Sequence, residues 1–304
     1  MTASHPTSGS ILVTGATGVA GSAIVREFIR SGHPVRVLVR NPARAAALRA
    51  FPTVEVMEGD LLKPETLRSA LTGVHRALLL SSPDAQLVQA QTSFIDAAAS
   101  SGVKHIVKFS GLSAADIGTP FIFGPMHAEI EAYLQDSGLM WTHLQPSQFM
   151  TEYLRELPTI LAQGALFLPF RDARLVPVDL ADIARAAFLL LTTSGHEGKT
   201  YAISGPEALS MDEIAQKISV AIGRTIRYVD VPRETRNAAL LAAGVPEFFV
   251  DALDAQTGER LLGRESTVHL ETHQALGLKP TSFSEFAARS ASAFLGETAY
   301  AGLA

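Results

Sequence analysis

Apolar and polar positions follow two alternating patterns from residue 11 onward. Short apolar runs are each followed by a longer stretch of helical period, and Gly, Pro or Ser separates them. This alternation is typical of βαβ units that build a parallel sheet. It predicts strands at residues 11–14, 35–40, 54–57, 75–80, 104–109 and 139–144, and helices at 19–31, 42–50, 64–71, 85–101 and 125–136. The predicted fold class is therefore α/β, a Rossmann doubly wound parallel sheet.

The pattern becomes less regular after residue 155. Short strands are predicted at 167–170, 174–177 and 200–204, and helices at 178–191 and 210–222. The second of these helices begins with a capping box, because Ser210 and Glu213 lie three residues apart. We expect a Rossmann domain at 9–156, with a returning segment near 178–200, and a smaller C-terminal α/β lid domain at 157–304.

Composition narrows the classes of function. Of the 304 residues, 47% are hydrophobic and 18% are charged, which indicates a packed globular protein. The net charge of −5 gives no reason to expect nucleic acid as a partner. The sequence has no Cys, so disulfides, thiolate nucleophiles and Cys-ligated metals are excluded. The His residues show no ligand spacing, so we expect no metal site.

The apolar runs also bear on where the protein resides. None of them approaches the roughly 20 residues that span a bilayer, so no membrane partner is expected. Residues 1–10 lack the basic start and the apolar run of a secretory signal. Both observations favour a cytoplasmic protein.

Three glycines mark the end of the first predicted strand. Gly15, Gly18 and Gly21 are separated by two residues each, and the first predicted helix begins among them. At such a strand-to-helix turn, backbone N–H groups and the helix dipole attract a pyrophosphate. Glycine allows the tight turn, the close approach of a phosphate and the contact of helix with strand. We therefore predict a dinucleotide site at this turn.

Arginines after the second strand distinguish between the two nicotinamide dinucleotides. An NAD site usually carries an acid about 20 residues past the glycines, where it accepts from the ribose 2′-hydroxyl. Residues 28–54 contain no acid, whereas Arg40 ends the strand and Arg44 follows one turn later. A guanidinium there can bind a 2′-phosphate through two hydrogen bonds. NADP is therefore favoured over NAD.

Several further stretches match a known family. They are VTGATG at 13–18, VRNPAR at 39–44, GD at 59–60, LLSS at 79–82, VKHIVKFS at 103–110, HAEIE at 127–131, DSG at 136–138, LQPSQFM at 144–150 and HEGKTY at 196–201. On these residues the chain resembles the NmrA-like group of atypical short-chain dehydrogenase/reductases. It is especially similar to the bacterial NAD(P)H:quinone oxidoreductases of that group.

The resemblance implies positions for the cofactor. NADP is expected along Gly15, Thr17, Gly18, Val19, Arg40 and Arg44, with the adenine near Asp60 and Leu61, and with the ribose and nicotinamide near Ser81, Ser82, Ser110, His127, Pro146 and Phe149. The substrate is expected against Phe123, Gln148, Phe149 and Met150.

The chain departs from its superfamily in the catalytic pair Tyr-x-x-x-Lys. Laid on that pattern, the sequence has Phe123 for the Tyr, His127 for the Lys, and then Glu131. Phe has no proton to give, but hydride transfer belongs to the cofactor and does not need this pair. His127 is a candidate to bind the ribose or shuttle a proton, or else a structural residue. Its charge is left open, because the helix N-terminus disfavours the imidazolium and Glu131 favours it.

Two further side chains are candidates for catalysis. Ser110 ends the fifth predicted strand, and Tyr153 follows the 146–150 segment. Tyr153 either supplies a phenol to the substrate pocket or packs at the junction of the domains.

These observations leave three hypotheses for function. The first is an NADPH-dependent oxidoreductase that transfers hydride to a small apolar or aromatic acceptor such as a quinone. The second is a non-catalytic NADP-binding redox-sensing regulator, which would bind a protein partner. The third, a sugar-nucleotide epimerase, needs the Tyr that Phe123 replaces.

Overall fold

A seven-stranded parallel sheet forms the centre of the protein in the computed structural model, which describes residues 10–115 and 118–298. Its strand order is β3-β2-β1-β4-β5-β6-β8, and a second parallel sheet pairs β7 with β9. The strands are β1 (Ser10–Val13), β2 (Val35–Val39), β3 (Val54–Glu58), β4 (Val74–Leu79), β5 (His105–Phe109), β6 (Met140–Pro146), β7 (Ala165–Leu168), β8 (Lys199–Ile203) and β9 (Arg227–Asp230). The Rossmann-type α/β fold that the apolar pattern predicts is thereby confirmed.

Helices cover both faces of the large sheet. Within the described residues the α-helices are α1 (Val19–Arg30), α2 (Arg68–Leu71), α3 (Leu87–Ser100), α4 (Phe123–Asp136), α5 (Leu157–Gln163), α6 (Leu180–Thr192), α7 (Met211–Ile222), α8 (Arg233–Ala242), α9 (Glu247–Leu261), α10 (Glu271–Leu276), α11 (Phe283–Arg289) and α12 (Ala291–Phe294). The 3₁₀-helices are Pro42–Ala50, Pro64–Thr66, Leu112–Ala115 and Met150–Glu156. None of these helices is long and apolar enough to span a membrane.

Side chains of successive residues in each buried strand point to opposite faces of the sheet, and they pack into two separate cores. Val13 of β1 packs with α1 and α6, whereas Leu12 packs on the opposite face with α3 and α4. Because parallel strands covered on both faces need apolar residues in both directions, their runs read as continuous. β5 lies between β4 and β6, and its residues are buried throughout.

Several predicted elements differ from those observed. Residues 42–50 form a 3₁₀-helix, and the predicted helix at 64–71 is a 3₁₀ turn followed by α2. Residues 174–177 form a single bridge, between Leu175 and Leu209, where a strand was predicted. α4 begins at Phe123, two residues before Pro125. The proline is tolerated because N–H groups of the first turn need no partner within the helix.

The C-terminal lobe is built around the small sheet. Aromatic side chains of α11 and α12 pack with Tyr153 and with α7. The capping box of Ser210 and Glu213 is present at the start of α7, as predicted. β8 pairs with β6, and α6 packs against α1, so both elements belong to the layers of the large sheet. The domain boundary at 156 stays a prediction, and its ends at residues 9 and 304, like most of the N-terminal segment 1–10, lie outside the described residues.

Candidate active site

Two of the three glycines, Gly15 and Gly21, occupy positions of the turn where no other residue fits. Gly15 has a φ of 63°, and its carbonyl accepts from Gly18 N at 3.0 Å. A Cβ at Gly15 would lie 2.7 Å from the Leu80 carbonyl oxygen, and one at Gly21 would lie 2.1 Å from that of Gly15. The first turn of α1 contains no acid and its N-cap has no side-chain hydrogen bond. Its N–H groups are therefore available to an anion.

The neighbouring strand end is held against this turn. Thr14 Oγ1 accepts from Leu80 N at 2.8 Å and donates to Leu80 O at 2.7 Å. Ser81 follows, and its hydroxyl accepts a hydrogen bond of 3.0 Å from Gln91. Ser82 is exposed, as is Thr17. The structure thus brings together the glycine turn and the predicted serines at the carboxyl ends of β1 and β4.

Two arginines at the end of β2 have no protein partner. Arg40 and Arg44 are exposed, and neither guanidinium forms a hydrogen bond or ion pair with another described residue. Arg36, in contrast, bonds Glu55 at 2.8 Å and the Ala70 carbonyl at 2.7 Å. The arginines predicted to bind a 2′-phosphate are therefore those left unpaired by the fold.

Asp60 has a local structural role. Its carboxylate accepts from Leu62 N at 3.1 Å, and its own N–H donates to Thr66 Oγ1 at 2.9 Å. This arrangement closes the turn after β3, next to the half-buried Leu61. The predicted contact of both residues with adenine stays a prediction.

A buried lysine lies at the end of β5. Lys108 is 0% exposed, and its Nζ donates to the Phe109 carbonyl at 3.1 Å. The same nitrogen lies 2.9 Å from Nδ1 of His127 on α4. Burial lowers the pKa of Lys108 to about 7, although Glu131 opposes this shift. No carboxylate of the described residues lies within ion-pair distance of Nζ.

Glu131 joins α4 to β6. Both its oxygens accept from Gln145 Nε2, at 2.9 and 3.1 Å, and His143 Nδ1 lies 3.4 Å from one of them. Burial would raise the pKa of this carboxyl, but His143, Ser110 and Gln145 together outweigh burial and lower the pKa to about 2. Glu131 is therefore ionised at neutral pH. We call Lys108, Ser110, His127, Glu131, His143 and Gln145 the buried polar network.

The charge of His127 follows from its position. Burial and the neighbouring Lys108 lower the pKa of His127 to about 3, while Glu131 opposes the change. The ring is therefore neutral at neutral pH, which decides the question left open by the sequence. Because an ammonium has no acceptor, a charged Lys108 requires Nδ1 of His127 to accept and its Nε2 to carry the proton.

Ser110 presents a polar atom without a partner. Its Oγ is buried and makes no hydrogen bond of ordinary geometry to another described residue, although it lies close enough to Glu131 to lower the carboxyl pKa. Gln148 Oε1, in the 146–150 segment, is also buried without a partner among the described residues. A buried polar atom without a partner costs free energy, so both atoms fit a ligand that supplies hydrogen bonds.

The 146–150 segment passes beside the network. Ser147 Oγ donates to the Val176 carbonyl at 2.6 Å, and Phe149 packs edge-on against Phe109 with ring centroids 6.4 Å apart. Pro146 is buried at the end of β6. Met150 is 1% exposed and belongs to the core of the C-terminal lobe. The predicted substrate contact of Met150 stays a prediction.

A cavity lies over the neighbouring strand ends. Its volume is about 280 Å³, and it is lined by Leu112, Gln145, Ala202, Arg264, Glu265, Thr267 and His269. Gln145 belongs to both the cavity and the buried polar network. The C-terminal lobe supplies most of the other lining residues.

Two predicted site residues lie in apolar surroundings. Phe123 is 4% exposed and contacts Phe121 and Phe248 through edge-on ring pairs. Tyr153 is 1% exposed and packs edge-on against Phe283, and burial raises the pKa of its phenol. This position favours packing at the junction of the lobes over proton donation. The described residues contain no cluster of three potential metal ligands.

Sequence reasoning did not select Lys108, His143 or Gln145 as site residues. A signal was nevertheless present for the lysine, since it interrupts the apolar run of a central strand. Charged residues are almost never fully buried without a reason. No comparable signal marks Gln145, because its contact with Glu131 depends on how α4 packs on β6.

The fold, the glycine turn and the cavity define a class of nucleotide-binding α/β proteins, and the chain belongs to the NmrA-like family, whose model matches residues 7–287. One relative is an NAD(P)H azoreductase of Xenophilus azovorans, which is 36% identical over 288 residues, covering 93% of this chain and 99% of that protein. Two solved structures are similar over 92% of this chain and 99% of theirs. They are an Escherichia coli NADPH-dependent quinone oxidoreductase complexed with NADPH, at a TM-score of 0.82 and 29% identity, and a Citrobacter sp. triphenylmethane reductase complexed with NADP(H), at 0.83 and 27%.

Proposed function

We propose that this protein is an NADPH-dependent oxidoreductase that transfers hydride to a small aromatic or apolar acceptor, such as a quinone or an azo compound. The observation that carries the proposal is the pair of unpaired guanidiniums, Arg40 and Arg44, at the strand end beside an open glycine turn. Similarity to azo, quinone and triphenylmethane reductases over nearly the whole chain supports the reaction class.

The residues present fit NADP. The N–H groups of α1 and the glycine turn would hold the pyrophosphate, and Arg40 and Arg44 would hold the 2′-phosphate. The orphaned hydroxyl of Ser110 and the amide oxygen of Gln148 would hydrogen-bond the nicotinamide end or the acceptor. The reduced nicotinamide supplies the hydride when it is bound.

The chain's own residues position the acceptor and handle the proton. Neutral His127 is the candidate donor, since Phe123 cannot give a proton and Tyr153 is enclosed in the apolar core. The cavity beside Gln145 has room for a small ring system, and the lid residues that line it would select the acceptor. Absence of nucleic-acid and protein partners, and a cytoplasmic location, stay predictions.

The cofactor assignment is tested by binding and turnover. We expect wild type to bind NADPH more tightly than NADH and to oxidise NADPH in the presence of quinones or azo dyes. Arg40→Ala and Arg44→Ala should each weaken NADPH binding about 10-fold or more and leave NADH binding nearly unchanged, because only the 2′-phosphate contact is lost.

A matched control is Arg49→Ala. Arg49 is also exposed and lies in the same 3₁₀-helix as Arg44, so its removal changes the net charge equally. Its NADPH affinity should remain that of wild type. Tight NADPH binding without turnover on any acceptor would contradict the enzyme and favour the regulator. Equal affinity for NADH and NADPH would contradict the role of the arginines.

A further inference from the structure

Lys108 is the least expected member of the buried polar network. It lies on a central strand, opposite Leu79 of β4 and His143 of β6 in the sheet register. Its ammonium contacts a backbone carbonyl and the His127 ring but no carboxylate of the described residues. A methionine or leucine would fill this position at lower cost if packing were the only need. The position therefore calls for a role that uses the amine.

The contact between Lys108 and His127 is arranged so that a proton can pass from the lysine to one ring nitrogen while the other nitrogen gives up its own. Lys108 Nζ lies 2.9 Å from Nδ1 of His127. When the lysine is an ammonium it must donate to Nδ1, so the other nitrogen, Nε2, carries the ring's proton. That outer edge faces the Gly111 loop, since a Cβ at Gly111 would lie 4.0 Å from the adjacent Cδ2 of His127. His127 as a whole residue keeps some exposure, whereas the lysine behind it is fully enclosed. A proton can thus leave on the open side and be replaced from within.

We propose that Lys108 is a positioning residue that supplies protons through His127, and this inference rests on the proposed reductase function. As hydride reaches one atom of the acceptor double bond, the N–H bond at His127 Nε2 breaks and a new bond to hydrogen forms at the other atom. Nδ1 takes a proton from the Lys108 ammonium in the same step. The ring remains neutral with its proton on Nδ1, and the lysine is left as a neutral amine. Water then returns a proton to His127 Nε2 while the Nδ1 proton moves back to the lysine, which restores the starting state.

The surroundings of Lys108 suit a group that gains and loses a proton. Glu131 and His127 face it from α4, and His143 lies beside it on β6. Arg264, Glu265 and His269 line the cavity beyond Gln145. Glu131 stays ionised and stabilises the ammonium, while burial disfavours it, so that the pKa of Lys108 comes to about 7. Near-neutral pKa values are those a proton donor needs at neutral pH.

The first test follows the lysine itself, without cofactor or substrate. In protein carrying carbon-13 lysine, the Cε resonance of Lys108 is identified by its absence from Lys108→Met. We expect it to titrate near pH 7. Replacing His127 with Phe should shift the Lys108 midpoint, because the ring nitrogen that accepts from the ammonium is lost. A Lys108 signal that stays protonated through about pH 9, or is indifferent to His127, overturns the relay.

The second test is the pH profile of turnover. In wild type, kcat should fall as the pH rises through about 7, because the lysine loses the proton it supplies. Lys108→Met should lower kcat about 100-fold and abolish this inflection while the NADPH dissociation constant stays unchanged. Lys108→Arg should also remain slow, since a guanidinium keeps its proton at these pH values. Lys104→Met, with an exposed lysine just before the same strand, should behave as wild type.

The outcomes separate this inference from the function on which it rests. A wild type that reduces none of the acceptors contradicts the proposed function and the relay with it. An active wild type whose kcat profile is unchanged in Lys108→Met contradicts the relay alone. Full turnover in Lys108→Arg would show that only the charge is needed, which also overturns the relay.

Discussion

Replacing Lys108 with Met is expected to stabilise the protein by an amount that depends on pH. In the folded protein the pKa of this buried lysine is about 7, whereas its ordinary value is 10.5. Between these two values the unfolded chain binds more protons than the folded protein. The free energy of unfolding of wild type therefore rises with pH across this window. The Met variant lacks the lysine amine, so its free energy of unfolding lacks this rise with pH.

The magnitude follows from the two pKa values. A separation of about 3.5 pH units, at about 1.4 kcal/mol per unit, makes the buried ammonium cost about 5 kcal/mol below pH 7. Met does not recover all of this, because the Phe109 carbonyl and Nδ1 of His127 lose their donor, at about 1–3 kcal/mol. The net gain expected near pH 6.5 is about 2–4 kcal/mol. By about pH 9.5 the difference in free energy of unfolding between the Met variant and wild type should have shifted by about 3 kcal/mol in favour of wild type.

Urea unfolding of both proteins at several pH values measures this difference. The single Trp, Trp141, is a suitable probe because it lies in β6 with its ring centroid 4.5 Å from that of His143. Lys104→Met is the matched control and should show no pH-dependent difference from wild type. A constant difference between pH 6.5 and 9.5, or a Lys108→Met variant less stable than wild type near pH 6.5, would refute the reasoning.

Two other substitutions test the site from different sides. Gly21→Ala places a Cβ 2.1 Å from the Gly15 carbonyl oxygen and pushes α1 away from the glycine turn, so the NADPH dissociation constant measured by calorimetry should rise about 10-fold or more. An unchanged constant would contradict the assignment of the pyrophosphate site. Glu131→Gln removes the charge that raises the pKa of Lys108, so the fall of kcat with rising pH should move to lower pH. In wild type the ionised Glu131 carboxylate adds stability above pH 4.5, and this stability is lost as the pH falls towards 2. The Gln variant should lack this contribution, which acid unfolding measures.

The sheet could be predicted, and the phosphate site proposed, because the signals for both are local. Gly15 follows an apolar strand directly, and Arg40 ends the next strand, so sequence position alone brings them to one sheet edge. Helix type was harder to predict. Pro42–Ala50 has the composition of an α-helix but forms a 3₁₀-helix. Its apolar residues do not form a distinct face and only one residue is buried, so little packing favours the α-helical form.

The contacts of the buried polar network could not be predicted in the same way. His127 was a candidate with an undecided charge, which only the contact with Lys108 and the depth of burial determine. Tyr153 looked equally suited to a pocket or to a junction, and its burial depends on α11, which lies some 130 residues further along the chain. Such long-range contacts leave no spacing in the sequence.

The order of strands in the large sheet has a consequence for biosynthesis. β6 is paired on one side by β5 and on the other by β8, and the chain grows by 57 residues from the end of β6 at Pro146 to the end of β8 at Ile203. At about 5–20 residues per second, a ribosome needs several seconds to make this stretch. During that time the largely buried strand β6 is itself the unpaired edge of the nascent sheet, which invites pairing with other chains. A fragment that stops at residue 156 would keep β6 at the edge permanently, so we expect it to aggregate, whereas a chain that continues past residue 203 covers β6 with β8.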